Sequence, residues 1–572
     1  MSTLTKMDNN NRVFKNSRVY LLPLLVFVMW GGFFGLYYES NDDFAIDLLL
    51  RGITAAEPVA NFHLYMYGWS QLVSFLYTHV PQVPWYGFLL YGLLYLASVF
   101  LLHCVEILFN NAVKGRYIVL IDVVIMHLFI SILYFKINFS KPAVLLAGIV
   151  LVWLVTRWLY TADKITKKDT VLALVMFTAA WGLRPGAAMI GLVLAAPLVT
   201  FIPFGTAVKR IIIPFALLIG MLQAVVMITA TKEGAAYKAI DIDKAKLIDY
   251  HVYKLNNNNK NENIHIFNET LVKYYGFNDE KIFNNNFFPQ YYVADYSGLV
   301  KREGVAKVKR VFYDVIRQFF PVFSIIALML LVIDFSEAKR SKGWFGISAF
   351  TIIVLYHVFF LTILLALSLF THMPPRIMQP VTILYLVCVF VMYMKFMPNV
   401  MVYKEKLKKY KIIIASLLAI GFLLQVKLLS GIIIESKFDQ NNKEKYLYYL
   451  SEKYKGKLLI EGGLSYANLN PLRSYGFYNY SKVYSLSGWP AFDPSQRAFR
   501  QQLTGYADFG PAMKKLIQRP DAVWVLTPDL SQFLPIYFSA RGTGADWNIQ
   551  LKKLPDTPSP YVHECQASLI TY

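Results

Sequence analysis

Long apolar runs recur along almost the whole of this chain, and they constrain its fold more than any other feature. A helix that crosses a membrane needs about 20 consecutive apolar residues. The sequence therefore predicts a mainly α-helical polytopic membrane protein with about eleven transmembrane helices. The runs, of which 170–182 is short, are 19–38, 83–109, 117–135, 142–160, 170–182, 186–204, 211–230, 317–335, 344–369, 377–397 and 411–434.

The net charge of +21 raises the question of nucleic-acid binding. However, 56% of the residues are hydrophobic, which is too apolar for a soluble protein. The Lys and Arg residues lie mostly in short loops between the apolar runs. We therefore expect the lipid bilayer, and no nucleic acid, as a partner.

Lys and Arg are unequally shared between alternate loops. Cytoplasmic loops carry the excess of these residues near the ends of spans, so the richer set, which includes the N-terminus, is predicted to be cytoplasmic. An odd number of spans then places the C-terminal region outside a bacterial plasma (inner) membrane. The short segments of the opposite side hold only five cations: Arg51, Lys136, Lys141, Arg184 and Arg376.

The predicted domains follow from this topology. Residues 1–18 form a cytoplasmic tail, and residues 19–434 form the membrane domain with external loops 39–82 and 231–316. Residues 435–572 form a small extracytoplasmic α/β domain, because short β-like runs alternate there with helical stretches. The β-like runs are 457–461, 522–526 and 561–572; the helical stretches include 443–454 and 530–538, and an amphipathic helix is expected at 301–317.

Two adjacent carboxylates, Asp42 and Asp43, lie a few residues beyond the first apolar run. Transfer of a sugar to a hydroxyl group requires a base that takes the hydroxyl proton, and a carboxylate with a tuned pKa can do this. Like charges so close raise one of the two pKa values, and burial raises it further. The alternative interpretation is a solvated helix N-cap, a position that Asn and Asp often occupy.

This membrane plan with paired acids after the first span resembles the GT-C superfamily of polyprenyl-phosphate-sugar-dependent membrane glycosyltransferases. Its aminoarabinose and protein mannosyl transferases carry an acidic pair there, often Asp-Glu. The resemblance implies Asp42 as the base and Asp43 as its supporting acid, followed by an amphipathic loop helix at 44–52. Here the second acid is Asp, and the arabinofuranosyl transferases fit almost as well, so the donor sugar stays open. The resemblance does not reach the C-terminal domain.

A phosphate leaving group needs cations or oriented donors, because its negative charge grows in the transition state. Arg184 and Arg376 lie in short external turns next to Pro185 and Pro375, and His372 lies close to the second turn. We predict that these three residues bind the donor phosphate. The alternatives are arginines that reach lipid headgroups and a structural histidine.

A sugar or acceptor pocket needs polar edges and aromatic faces. In the first external loop Glu57, Asn61, His63 and Tyr65 offer these groups. The alternative for Tyr65 is a place in the aromatic belt of the membrane interface. No set of metal ligands can be assigned from the sequence, so no cofactor is certain, and a divalent cation is an open possibility.

The sequence therefore predicts an inverting glycosyltransferase with an aspartate base. It would move a sugar from a polyprenyl-phosphate-linked donor to a cell-envelope glycan, lipid or protein acceptor on the outer face of the membrane. Two other classes stay open. One is an O-antigen or glycan polymerase or ligase, which need not have the acidic pair; the other is a polytopic transporter or flippase, which would place ionisable residues near mid-bilayer.

Overall fold

The computed structural model describes residues 9–109, 115–161, 164–256, 262–330, 335–371, 373–396, 400–541, 549–555 and 562–569. The chain is a mainly helical, multi-pass membrane protein with a small sheet near its C-terminus, as the sequence predicted. Eight helices of the described ranges are long and apolar enough to cross a membrane: Ser17–Phe34, Trp85–Phe109, Ile118–Phe135, Ser140–Tyr160, Phe204–Thr229, Ala349–Phe370, Pro375–Lys395 and Ala419–Lys453.

Three of the eleven predicted spans fall on helices that are not among these eight, and residues 331–334 of the last one lie outside the described residues. The run 170–182 lies in Lys167–Leu183, and the run 186–204 falls largely on the short apolar stretch Pro185–Phe201. The run 317–335 includes the second half of Val305–Leu330. The predicted number of eleven spans is therefore not confirmed.

The helix Ser140–Tyr160 lies at the centre of the membrane domain, and its residues from 140 to 156 are all buried. It packs against Trp85–Phe109, Lys167–Leu183, Pro185–Ala195 and Pro375–Lys395. Glycine permits one of these contacts, because a Cβ atom on Gly191 would lie 2.2 Å from the Val144 carbonyl oxygen. Small residues at such crossings let helix backbones approach closely.

Two short pairings fix the start of the first loop. The strand β1 (Tyr37–Tyr38) runs parallel to β2 (Lys136–Ile137). On its other side the Tyr38 amide donates to the Leu469 carbonyl at 2.8 Å. The chain that leaves the first span is therefore held between the membrane domain and the C-terminal region. The other helices between residues 37 and 229 are Asn41–Leu50, Trp69–His79, Gly115–Ile125 with a π turn to Ser131–Phe135, and Phe204–Ala207 with a π turn to Ile213–Thr229.

The loop 231–316 is structured over most of its described length. Its strands β3 (Tyr253–Leu255) and β4 (Tyr292–Ala294) pair antiparallel. The predicted amphipathic helix at 301–317 is helical, but it continues into the apolar part of Val305–Leu330 through a kink at Phe319, two residues before Pro321. A proline inside a helix removes a hydrogen bond and bends it. The loop's other helices are Lys232–Ile248, Glu262–Lys273, Phe287–Tyr291 and Tyr296–Leu299.

The C-terminal sheet has five strands: β5 (Leu458–Gly462), β6 (Lys482–Ser485), β7 (Ala522–Leu526), β8 (Ile549–Lys553) and β9 (His563–Leu569). Their order in the sheet is β6-β5-β7-β9-β8. Strand β5 is parallel to β6 and β7, and β9 is antiparallel to β7 and β8. Strands β5 and β7 are buried at every residue, as expected where helices cover both faces of a parallel core.

Three predicted strands and two predicted helical stretches of this region are present. Sequence reasoning missed β6, β8 and the helices Ser495–Thr504 and Phe509–Gln518. The helical stretch 530–538 lies in Pro528–Arg541, and 443–454 is the end of one long helix, Val400–Lys453. That helix crosses the predicted boundary at residues 434 and 435, and the domain division stays a prediction. The remaining long helix segments are Phe335–Arg340 and Ala349–Phe370.

The three segments predicted to share one side of the membrane do meet. Lys482 of the C-terminal domain donates to the Gly52 carbonyl of the first loop at 2.7 Å. Tyr537 of the same domain donates to the Asp279 carboxylate of the second large loop at 2.5 Å. The ends of the membrane helices and these three segments therefore form one face, on which Asp42 and Asp43 lie.

Candidate functional site

Asp43 is completely buried in the first turn of the helix Asn41–Leu50. Ser40, not an acidic residue, occupies the N-cap position, so the interpretation of Asp43 as a solvated N-cap is wrong. Its carboxylate accepts four hydrogen bonds, from Ser40 Oγ (3.0 Å), Asn138 Nδ2 (2.7 Å), the Phe139 amide (3.0 Å) and Tyr86 Oη (3.1 Å). These bonds join the start of the loop helix to two membrane helices.

Burial, and after it the neighbouring Asp42 charge, raise the pKa of Asp43 to about 7, against the hydrogen bonds from Phe139, Asn138 and Ser40. Burial disfavours a charged carboxylate, whereas donated hydrogen bonds favour it. Asp43 therefore changes its charge near neutral pH. With no exposed surface, it has no room to contact a substrate.

Asp42 points to a different environment. One of its carboxylate oxygens lies 3.4 Å from Arg376 Nη1, and about a third of its side chain is exposed. Arg376 stands in the first turn of the helix Pro375–Lys395. The structure thus brings together the predicted base and one of the predicted phosphate-binding cations, although 334 positions separate them in the chain.

Arg184 reaches the same centre through hydrogen bonds. It stands at the break between two helices, where its guanidinium donates to Ser140 Oγ. The Ser140 amide donates to Asn138 Oδ1 at 2.9 Å, and the Asn138 amide group donates to Asp43. The Arg184 guanidinium also lies 5.2 Å from the centre of the Tyr65 ring, a favourable arrangement for a cation.

The predicted substrate residues of the first loop do not share one environment. Tyr65 lies against Arg184, as described. Glu57 and Asn61 are exposed, and Asn61 accepts a hydrogen bond from Gln71 at 3.0 Å. His63 packs against Gly234 of the second loop. His372, the third predicted phosphate ligand, lies outside the described residues.

Several charged groups of the site were missed by sequence reasoning. Lys141 is buried and lies 2.6 Å from Glu39, the residue that follows β1. Asp47 is buried between Arg51 Nε at 2.9 Å and Tyr77 Oη at 2.5 Å, which fixes the loop helix from its other end. The pairing of Arg51 and Asp47 was in principle visible, since residues four apart share a helix face.

A cavity of about 450 Å³ adjoins Asp42 on the side away from the membrane helices. Its walls come from the first loop, the second large loop and the C-terminal domain. The volume lies in the range of small-molecule sites. Its polar lining residues are Asn41, Asp42, Thr54, Lys273, Tyr274, Glu461, Tyr466, Ser485, Ser487, Thr527 and Asp529.

Within the described part of the chain, no three His, Cys, Asp or Glu side chains come together. The metal stays unassigned.

Comparisons with known proteins give one similar structure to report. No protein-family model and no curated protein sequence matches the chain. The crystal structure of ArnT from Cupriavidus metallidurans bound to undecaprenyl phosphate is similar over 98% of this chain and 98% of that one, with a TM-score of 0.49 and 10% identity. This is a likeness in the course of the chain.

Proposed function

We propose that this chain is a GT-C-type glycosyltransferase that uses a polyprenyl-phosphate-linked sugar. One observation carries the proposal: the Asp42 carboxylate stands between the Arg376 guanidinium and an open polar cavity. A base between a phosphate-binding cation and an acceptor pocket is the arrangement that this reaction requires. The acceptor is a hydroxyl group of an envelope glycan, lipid or protein.

The cations act on the donor. Arg376 and Arg184 lie at the ends of membrane helices, at the level where a lipid-linked phosphate would reside. Guanidinium groups bind phosphate with charge-assisted, often bidentate hydrogen bonds. When a donor binds, its phosphate competes with Asp42 for Arg376, which releases the carboxylate for its work as a base.

Asp42 acts on the acceptor in a single displacement. The acceptor oxygen forms a bond to the anomeric carbon of the sugar, while the bond from that carbon to the phosphate oxygen breaks. The acceptor proton goes to an Asp42 carboxylate oxygen, and the polyprenyl phosphate leaves with the bonding electron pair. Attack opposite the leaving group inverts the anomeric configuration.

Asp43 supports the base without touching the substrate. Its hydrogen bonds to Asn138 and Phe139 hold the first turn of the loop helix against the membrane domain. Its ionised form places a second negative charge beside Asp42, which makes that carboxylate a better proton acceptor. Glu57, Asn61 and His63 stay predicted substrate residues, and Tyr65 is placed beside the phosphate-binding cations.

The topology belongs to the same proposal. The N-terminus is cytoplasmic, the C-terminal domain is extracytoplasmic, and transfer occurs on the outer face of the plasma membrane. Asp122 is a buried acid, and a transporter would place ionisable residues inside the membrane. Its carboxylate lies 3.4 Å from Arg18.

The test is sugar transfer by the purified protein in nanodiscs, supplied with a panel of polyprenyl-phosphate sugars. We expect Asp42→Asn to lower kcat by about 10²- to 10⁴-fold, the usual contribution of a general base. The matched control is Asp508→Asn, an exposed acid that pairs with Arg497. Equal turnover in native protein and Asp42→Asn would move the base elsewhere, and no turnover with any donor would favour the polymerase or transporter hypotheses.

A further inference from the structure

The C-terminal sheet has the topology that places a binding crevice at one of its edges. Strand β5 lies between β6 and β7, and all three run parallel. The chain leaves β5 towards β6 on one side and returns to β7 on the other. Ligands in such sheets bind beyond the carboxyl ends of the strands, where the connections diverge.

The loops at this edge are shaped to leave a crevice and to hold its walls still. Gly463 follows β5 with φ +76°, and a Cβ atom there would lie 2.4 Å from Thr527 Oγ1. The Gly463 amide donates to Ser487 Oγ at 2.8 Å, and Ser485 Oγ donates to the Ser487 carbonyl at 3.1 Å. Two loops from different strands are thereby tied together beside the opening.

This edge is one wall of the cavity that Asp42 lines. Glu461, Gly463, Ser485, Ser487 and Thr527 all belong to the carboxyl ends of the parallel strands or to the residues that follow them. The sheet edge and the proposed base therefore face the same space.

The side chain of Asn41 fixes the opposite wall to the loop that follows β5. Asn41, the residue before Asp42, accepts hydrogen bonds through its Oδ1 from the amides of Tyr466 and Ala467, both at 2.8 Å. These amides lie in the loop after β5. A ligand held by the sheet edge thus has a defined position relative to Asp42, as catalysis by proximity requires.

The charges of the cavity select its ligand. Three carboxylates line it, from Asp42, Glu461 and Asp529, against one cation, Lys273. Lys273 is already engaged, 3.2 Å from Asp529. An anionic ligand would meet like charges without a free cation, whereas hydroxyl groups can donate to the carboxylates and exchange hydrogen bonds with the serines.

Glu461 is the best-placed carboxyl for this task. It is buried at the end of β5, and burial raises its pKa to about 7. Near neutral pH a carboxyl of this kind exists in both forms, so it can donate to one sugar oxygen and accept from another. Tyr274, Tyr466 and Pro490 add apolar faces to the same cavity.

We infer that the carboxyl edge of the β6-β5-β7 strands binds the acceptor, and that this acceptor presents an uncharged, hydroxyl-rich sugar to Asp42. The inference rests on the proposed glycosyl transfer, because only that reaction makes the bound sugar an acceptor. Binding of the sugar at the cavity does not depend on turnover. Glu461 and Ser485 bind the sugar, and Asn41 positions the cavity relative to the base.

The test measures binding directly, by saturation-transfer NMR on the protein in nanodiscs. The probes are the methyl glycosides of glucose, galactose, mannose and N-acetylglucosamine, with the methyl glycosides of glucuronic and galacturonic acid as anionic counterparts. We expect at least one neutral glycoside to bind and the uronates to bind about tenfold more weakly or not at all. Binding of none of the neutral glycosides, or preference for the uronates, would overturn the inference.

Variants locate the binding. Glu461→Gln and Ser485→Ala should each weaken the neutral glycoside about tenfold, the usual loss when one hydrogen bond to a charged or buried group is removed. Glu435→Gln, on an exposed part of the long helix, is the matched control. Thermal unfolding of each variant shows whether it is folded. If Glu461→Gln does not fold, Ser487→Ala replaces it in the binding measurement. Unchanged binding in the folded variants would contradict the proposed site.

The two proposals fail in distinguishable ways. Neutral-sugar binding that depends on Glu461, together with no transfer from any donor, would retain this site and overturn the transferase. Transfer that depends on Asp42 but has the same acceptor KM in Glu461→Gln and native protein would retain the transferase and overturn this site.

Discussion

The two sides of the Asp42 carboxylate differ in charge and in origin. On one side Arg376 and Arg184 project from the ends of membrane helices. On the other side Glu461, Asp529 and several hydroxyl groups project from loops and from the C-terminal sheet. A cationic side suits a phosphate, and an acidic, hydroxyl-rich side suits a neutral sugar. Under the proposed function, the Asp42 carboxylate therefore stands between a donor and an acceptor that are sorted by charge.

Arg376→Ala tests the cationic side of Asp42 and should have the largest effect of the following substitutions. If the cationic side binds the donor phosphate, kcat/KM for the donor should fall by about 10²- to 10³-fold, the usual cost of removing one oriented donor to a developing negative charge. Arg376→Lys should recover part of the loss, since it restores charge without the planar fork.

The control for Arg376 is Arg497→Ala, which removes an exposed guanidinium elsewhere. Steady-state kinetics with each substrate varied separately provides the measurement. A change in the acceptor KM alone, with the donor kinetics unaffected, would show that Arg376 acts on the acceptor and not on the donor phosphate.

Asp43→Asn tests whether the charge of Asp43 strengthens Asp42 as a base. The pKa of Asp43 is raised by burial to about 7, so the native rate should rise as the pH passes through that value and the added charge strengthens Asp42 as a base. Asp43→Asn, which has no charge to gain, should lack this rise. The measurement is kcat across pH for both proteins, and an unchanged profile would contradict the supporting role.

The same titration has a sign for stability. Asp43 binds its proton more tightly in the folded state than in the unfolded state. The contribution of Asp43 to the free energy of unfolding should therefore be largest at low pH and be lost as the pH rises through about 7. As the pH rises to about 7, the thermal midpoint in detergent should decline less in Asp43→Asn than in native protein.

Gly463→Ala probes the acidic side. Its φ of +76° costs an L-residue about 1–2 kcal/mol, and its Cβ would crowd Thr527 at the cavity. We expect a raised acceptor KM with little change for the donor. Gly505→Ala is the matched control, because it has φ +82° with no atom within 4 Å of the added Cβ. Equal kinetic effects of both variants would show strain and not a narrowed cavity.

Ser140→Ala should have the smallest effect of the set. It removes the hydroxyl that accepts the Arg184 hydrogen bond, while the Ser140 amide still donates to Asn138. One hydrogen bond contributes about 0.5–1.5 kcal/mol, so a loss of roughly 2- to 10-fold in donor kcat/KM is expected. Ser98→Ala, a buried serine that donates to its own helix, is the control. A loss as large as that of Arg376→Ala would mean that Ser140 holds more than Arg184.

Local pattern explains which parts of the fold were predictable. The apolar runs and the strands at 457–461 and 522–526 are continuous segments, and they were recognised by length and composition. Strand β6 was missed because it begins with Lys482, whose side chain extends to the first loop. The long helix Val400–Lys453 was divided in two because its apolar part ends near residue 434 while its helical hydrogen bonds continue.

The same distinction holds for the site. Asp42 and Asp43 look alike in the sequence, since they are adjacent acids in one polar turn. Their environments differ because Asn138, Phe139 and Tyr86 donate hydrogen bonds to Asp43. These donors lie between 43 and 96 positions away in the chain, and no local pattern specifies contacts over such separations.

The sequence by itself determined that this protein crosses the membrane several times and carries a small sheet-containing region at its end. Hydrophobic length and alternation are local properties, and each segment responds to them independently of the others. Only the tertiary structure brings Arg376 to Asp42, buries Asp43 and turns the C-terminal sheet edge towards Asp42. Those outcomes depend on how helices pack and where loops are held, so they follow from contacts between distant parts of the chain.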